Sequence, residues 1–240
     1  MKERGIIFND EMVRAILDGR KTQTRRIMKF QPESSSFGMR RISEAKRNSD
    51  VGTYFWAESN ATGIHTRSKL FTCPFGVVGD RLWVRETFSC IGNEDGHPVD
   101  ANGNLCNRED AQRIYRASAI QKPRNYGLWT SPDGFDFEGT WTPSIHMPRW
   151  ASRITLEITG VRVERLQSIS EGDAKREGLI QLPATGRYCL ADGDQYFGGA
   201  SHSAKELYSW LWSEIYGEES WQANPWVWVV EFNRMDGEQP

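Results

Sequence analysis

The sequence predicts an α+β fold: a mostly antiparallel sheet rolled into a small β-barrel, with flanking helices and two long insertions. Three observations carry that expectation. Alternating strands gather at residues 81–88, 154–166 and 226–232, and the helical patterns fall beside them rather than between every pair. Gly160 interrupts the longest alternating run where a bulge would bend it, and bulges are how the strands of small barrels turn. Two long stretches, at about 31–69 and 89–145, lack clean periodicity and are rich in Gly, Ser, Asn, Asp and Pro, the composition of excursions from a core.

The elements follow in chain order. Ile6, Ile7 and Phe8 form a brief apolar strand. Asn9 and Asp10 supply N-cap chemistry for a helix with Met12, Val13, Ile16 and Leu17 on one face, and Gly19 sits where a left-handed C-terminal residue belongs. From Lys21 the chain alternates again, with Thr22 and Thr24 on one face and Lys21 on the other. The first insertion contains at most a hairpin near residues 54–58. A tight turn at Gly79 and Asp80 opens the strand at 81–88, whose end sends Arg85 and Glu86 one to each face; the two are read as an ion pair at a barrel rim. In the second insertion, residues 113–117 and 139–141 are candidates for edge strands, and Pro143 and Pro148 exclude a helix through the segment that rejoins the core. Ser170 and Asp173 make a capping box for a short helix that stops at Gly178, and residues 181–200 read as loop. Ser203 and Glu206 cap a further helix with Leu207, Trp210, Leu211 and Ile215 on one face and Gly217 at its end. The strand at 226–232 closes the chain with Trp226, Trp228 and Phe232 on one side.

At 240 residues the chain exceeds the usual domain size of about 100–150 residues, yet barrels with insertions reach this length as one unit, so a single domain over 1–240 is expected. Hydrophobic residues make up only 38%, but ten Trp, eleven Phe and seven Tyr bury enough area each to fill a core. The net charge of -2 carries no global nucleic-acid signature, so any grip on phosphate must be local. Cys73, Cys90, Cys106 and Cys189 form no Cys-x-x-Cys pair, which argues against a zinc ribbon or disulfide framework and fits the thiols of a cytoplasmic protein. His65, His97, His146 and His202 stand alone without metal-ligand spacing, so neither metal nor cofactor is expected. No signal-like run and no stretch of about 20 apolar residues is present, so no membrane partner is expected.

The densest chemistry is the run Gly19-Arg20-Lys21-Thr22-Gln23-Thr24-Arg25-Arg26, where Arg20, Lys21, Arg25 and Arg26, with Lys29 just beyond, occur with no acid among them. On these residues the chain resembles the ASCH domains, small barrels related to the PUA fold of RNA-binding proteins. The run 19–25 after a first helix is similar to the family's Gly-x-Lys-x-x-Thr-x-Arg signature in all but its last spacing. Gly79-Asp80 before a strand, the strand 154–166 leading into a helix at 173–179, and the closing strand occur in the family's order. The whole chain is also similar to larger ASCH-type proteins of phages and prophages, through Gly-Asp-Arg-Leu-Trp-Val-Arg-Glu at 79–86 and Asn-Pro-Trp-Val-Trp-Val-Val-Glu-Phe at 224–232.

One compact branch of that family removes the acyl group from N4-acetylcytidine with a Lys and a Thr three apart in the signature loop and a Glu in the helix after the long strand. Lys21, Thr24 and Glu177 occupy those places, so the resemblance implies an amidohydrolase trio acting on N4-acylated cytosine nucleosides. Such chemistry needs a base, a nucleophile or held water, and a proton carrier for the leaving amine. Burial and the like charges of Arg20 and Arg25 would lower the Lys21 pKa, whereas a pair with Glu177 would raise it, and the sequence leaves that balance open. The same residues serve equally as a structural ion pair with Thr24 filling a strand position. The two insertions, absent from the compact branch, are expected to cap, reshape or block the pocket.

Two other readings stay open. As a binding module, Arg20, Arg25, Arg26 and Lys29 would grip phosphates of RNA, a single-stranded nucleic acid or a modified nucleoside. Trp83, Tyr188 or a Trp of the last strand would stack on a base, and Arg85 and Glu86 would read it. As a phage accessory or morphogenesis protein in a host cytoplasm, the chain would act through protein contacts.

Overall fold

The structure, a computed structural model, describes residues 1–47, 50–60, 63–191 and 193–235. The chain runs β1 (Glu3–Ile7), α1 (Asp10–Leu17), β2 (Gln23–Ile27), β3 (Gly38–Arg41), β4 (Tyr54–Asn60), β5 (Gly63–Arg67), β6 (Arg81–Arg85) and β7 (Phe88–Cys90). It continues through β8 (Arg113–Tyr115), β9 (Ile120–Gln121), β10 (Leu128–Thr130), β11 (Asp136–Glu138), β12 (Thr155–Arg165), α2 (Glu171–Arg176), β13 (Ile180–Gln181), β14 (Tyr188–Cys189) and β15 (Ala200–Ser201). It ends with α3 (Ala204–Tyr216), α4 (Glu218–Gln222) and β16 (Trp226–Arg234).

The fold is α+β with mostly antiparallel sheets. Its centre is a five-stranded sheet in the order β1-β6-β12-β16-β2, in which only β1 and β6 run parallel. β1 and β2 end that order, and the Arg26 guanidinium spans them by donating to the Ile7 carbonyl at 2.5 Å. The long hairpin of β12 and β16 shifts register between Ile158 and Gly160, the expected bulge. A Cβ at Gly160 would stand 2.6 Å from Glu231 Oε2 and 3.3 Å from Glu231 Cβ, so a side chain there would displace the Glu231 carboxylate.

The sheet buries both faces, and β16 shows how. Trp228, Val230 and Phe232 join Ile6, Phe8, Val13, Ile16, Leu82 and Leu156 in a core beneath α1. Val227 and Val229 point to a second core with Leu166, Leu179, Leu207, Tyr208 and Trp212, under α3. The period of two in a strand covered on both faces makes the run read as almost continuously apolar.

Local signals set the helix ends. The Asn9 side chain accepts from Met12 N at 2.9 Å and opens α1, while Gly19 takes φ +74° after it. Ser170 accepts from Asp173 N at 3.0 Å and Ser203 from Glu206 N at 3.1 Å, as the capping boxes predict.

Four expectations are corrected. The first insertion is a three-stranded sheet, β3-β4-β5, rather than one hairpin; β3 is short and carries two arginines, so no apolar alternation marks it. In the second insertion residues 113–115 form a strand as expected, but 139–141 do not, and β11 lies just before them with Phe137 packed on Trp141 at 4.9 Å. Residues 181–200, read as loop, contain most of the small sheet β13-β14-β15, whose two-residue strands are too short to show a period. The expected strand at 81–88 breaks at Glu86, and Arg85 does not pair with Glu86. Because neighbours on a strand face opposite ways, Glu86 takes two bonds from Arg153, at 3.0 and 2.9 Å, while Arg85 lies over the Trp83 ring and donates to the Ile145 carbonyl. Among the described residues no helix is long and apolar enough to cross a membrane.

Candidate functional site

The site begins with two glycines. Gly19 ends α1 so that Lys21 N turns back to the Ala15 carbonyl at 2.9 Å, and Thr22 N reaches the Arg176 carbonyl at 3.0 Å. Gly178, with φ +110°, ends the turn after α2; a Cβ there would meet Ala15 Cβ at 2.8 Å and Lys21 Cβ at 3.2 Å. Only glycine lets the end of α2 close onto α1 and the start of β2. Glu177, the C-cap residue of α2, thereby faces Lys21 across an antiparallel bridge.

Lys21 Nζ donates to Glu177 Oε2 and to the Glu177 carbonyl, each at 2.9 Å, with the two side chains 0% and 2% exposed. Arg25 Nη1 donates to the other oxygen, Oε1, at 3.0 Å. Arg25 also reaches Glu164 at 3.1 Å and Asp173 at 3.4 Å. Arg162 joins Glu164, Asp173 and Glu231, and Arg176 pairs with Asp173. Four cations thus face four carboxylates, a balance that lets buried charges persist without a large net field. Lys21, Gln23 and Arg25 all point to α2, as alternation requires, with Gln23 Nε2 donating to the Asp173 carbonyl at 2.8 Å.

Burial lowers the Lys21 pKa from its ordinary value, and it outweighs the opposing charge and hydrogen bond of Glu177; Arg26 and Arg25 push the same way as burial. Of the two effects the sequence left open, burial prevails and makes the Lys21 ammonium more acidic.

β2 is the last strand of the sheet, and a cavity of about 210 Å³ lies against it. Thr24, Arg25, Arg26 and Glu177 line it together with Ile7, Asn9 and Met12 from the α1 side and Tyr208, Leu211, Trp212, Ile215 and Tyr216 from α3. The Thr24 hydroxyl, 2% exposed as a residue, has no hydrogen-bond partner among the described residues. A second cavity of about 230 Å³ shares Asn9, Met12, Glu177 and Leu211 and adds the carboxylates of Glu11, Asp194 and Glu214.

Of the sequence-predicted residues, Lys21, Thr24, Glu177, Arg25 and Arg26 come together here. Lys21 stands behind Glu177 rather than on the cavity wall. Arg20 is turned away, to Asp18 at 2.8 Å and to the Gly178 carbonyl. Arg26 lies over the Phe8 ring at 5.2 Å, and Lys29 is exposed. Trp83, Arg85 and Glu86 line neither cavity; the Trp83 ring packs so closely on Gly5 that a Cβ there would stand 2.9 Å from it. Tyr188 is buried in the second core, and Trp226 and Trp228 pack on Trp56 and Tyr54.

No residue of the two insertions lines either cavity. The wall that shapes the site is α3, which the sequence marked only as an amphipathic helix. Its predicted inward face is also shifted: Trp210 is 42% and Ile215 44% exposed, whereas Trp212 is 2% and Tyr208 3%. The Tyr208 and Trp212 pair at i and i+4 was the available signal, since that spacing puts two large rings on one stripe. Among the described residues no group of three His, Cys, Asp or Glu could hold a metal ion, and the four cysteines are free thiols. The side chain of His65 lies outside the described part of the chain.

No family model, curated protein or solved structure matches this chain. Its functional reading is carried by the geometry around Lys21.

Proposed function

We propose that the chain is an ASCH-type protein with a PUA-like barrel, and that its cavity beside β2 hydrolyses the exocyclic amide of a small N-acylated base of the cytidine class. The observation that supports this reading is that Thr24 and Glu177 line one cavity while Lys21, 156 residues from Glu177 in the chain and lowered in basicity by burial, is hydrogen-bonded to the Glu177 carboxylate from behind. A volume of about 210 Å³ is below the roughly 300–1,000 Å³ of pockets for drug-sized ligands, so a single base with a short acyl group suits it.

In this mechanism the Thr24 hydroxyl holds a water against the acyl carbon. The water oxygen adds to that carbon, and its proton passes through the Glu177 carboxylate to neutral Lys21. Collapse breaks the carbon–nitrogen bond, the electron pair stays on nitrogen, and the same relay returns a proton to it. The products are a carboxylic acid and the free amine of the base. Lys21 serves as proton reservoir rather than nucleophile, because Glu177 separates it from the cavity.

Incubation with N4-acetylcytidine and other N4-acylated cytosines, beside the Lys21→Ala variant, tests the proposal. Release of acetate and of cytidine from N4-acetylcytidine by the wild type alone is expected; no deacylation at high protein concentration retires the proposal. The alternative, a non-catalytic module for RNA or single-stranded nucleic acid, would show binding that weakens steeply as salt rises and no turnover.

A further inference from the structure

Tyr208 lies one turn before Trp212 on α3 and lines the cavity opposite Thr24 and Glu177. It is 3% exposed, and its ring is held by Trp212 at 6.1 Å and Trp221 at 6.3 Å. Its hydroxyl forms no hydrogen bond with any described residue, although a phenol buried this deeply ordinarily finds a partner. The Glu177 carboxylate and the Arg25 and Arg26 guanidiniums are near enough to act on it. Burial foremost, and then Glu177, hold its pKa well above the usual phenol value, so the group stays an O–H donor across the working range. Beside it the Trp212 indole N–H and Arg25 Nε also lack partners. A cavity walled by apolar rings, with the Tyr208 O–H uncommitted, suits a ligand that brings an acceptor.

We infer that Tyr208 is a further catalytic residue, whose O–H donates to the acyl oxygen of the bound amide and holds that oxygen as it becomes negative. The inference rests on the hydrolytic reading above. When water adds to the acyl carbon, the carbonyl π pair moves onto oxygen and the Tyr208 O–H meets the resulting oxyanion. On collapse the pair re-forms the carbonyl, the carbon–nitrogen bond breaks, and Tyr208 has kept its proton throughout. A donor fixed in place by its ring contacts, inside a site shielded from water, is the arrangement in which one hydrogen bond to an oxyanion matters most. Arg25 is less suited to this task, since its guanidinium is already committed to three carboxylates.

Tyr208→Phe removes one oxygen and keeps the ring. With N4-acetylcytidine as substrate, kcat is expected to fall about 10²–10³-fold with KM within about threefold of the wild type. A kcat unchanged in Tyr208→Phe while Lys21→Ala is inactive overturns the role of Tyr208 and leaves the hydrolytic reading standing. If the wild type hydrolyses nothing, that reading falls, and titration calorimetry with N4-acetylcytidine decides the inference: about tenfold weaker binding in Tyr208→Phe supports the donor, and equal binding, or none to the wild type, overturns it. Should Tyr208→Phe fold poorly, the thioacyl analogue of the substrate probes the same contact in the wild type. Sulfur is the poorer acceptor, so turnover slower than for the oxygen substrate beyond their difference in alkaline hydrolysis is expected, and no such excess overturns the inference.

Discussion

At the scale of single residues, Lys21 shows why a buried amine differs from a surface one. Water would hold its charge, and its place beside Glu177 would hold it further, but enclosure with no exposed side-chain surface wins and lowers the pKa from 10.5. The sign has two consequences. Between the lowered value and 10.5 the unfolded chain binds a proton that the folded chain does not, so this residue's contribution to stability rises with pH through that window. Turnover that needs neutral Lys21 should likewise rise with pH and level off below 10.5, the ordinary lysine value. A kcat/KM profile measured from about pH 5 to 10 checks this; a rate still climbing without a plateau at the top of that range, as for an ordinary lysine of pKa 10.5, would show that Glu177 keeps Lys21 charged. Thr24 also lines the cavity, from the strand face opposite Lys21, Gln23 and Arg25, and its hydroxyl has no hydrogen-bond partner among the described residues.

At the scale of elements, the site is the meeting of two helix ends and a strand start. Gly178 is the hinge of that meeting, because its φ of +110° and its approach to Ala15 both exclude a side chain. Gly178→Ala should cost about 1–3 kcal/mol of stability, read as a lower urea midpoint, through backbone strain and displacement of the α2 end. It should also abolish turnover, since Glu177 moves with the turn; loss of stability with full activity would contradict the geometry. The capping residues Asn9, Ser170 and Ser203 were legible because a cap is a contact within three residues. The inward face of α3 was less so. Trp210 and Trp212 are equally apolar, and which of them is buried depends on where β16 and α4 stand, not on the helix itself.

At the scale of the whole molecule, the candidate site and the two insertions are separated. The second insertion builds small sheets and a satellite core of Ile91, Val99, Ile114 and Phe137, and the first sends Tyr54 and Trp56 into the central core, while the two cavities are lined from α1, β2, the end of α2 and α3. Trp129→Ala, which deletes an edge contact with Trp141 at 5.5 Å, should therefore speed hydrogen exchange in β9, β10 and β11 yet leave turnover within about twofold of the wild type. A large loss of activity would mean that the second insertion reaches the site after all. The sequence by itself determined what local chemistry can specify: the caps, the glycine at the β12 bulge, the strands of the central sheet and the α+β class. Resemblance singled out Lys21, Thr24 and Glu177, but the contact of Lys21 with Glu177 across 156 residues is a fact of the fold. Only the tertiary structure decided that burial outweighs the ion pair at Lys21, that Glu86 belongs to Arg153, and that α3 rather than either insertion forms the wall. Each of these depends on what a residue is packed against, and packing partners distant in the chain leave no period or cap in the sequence for the eye to find.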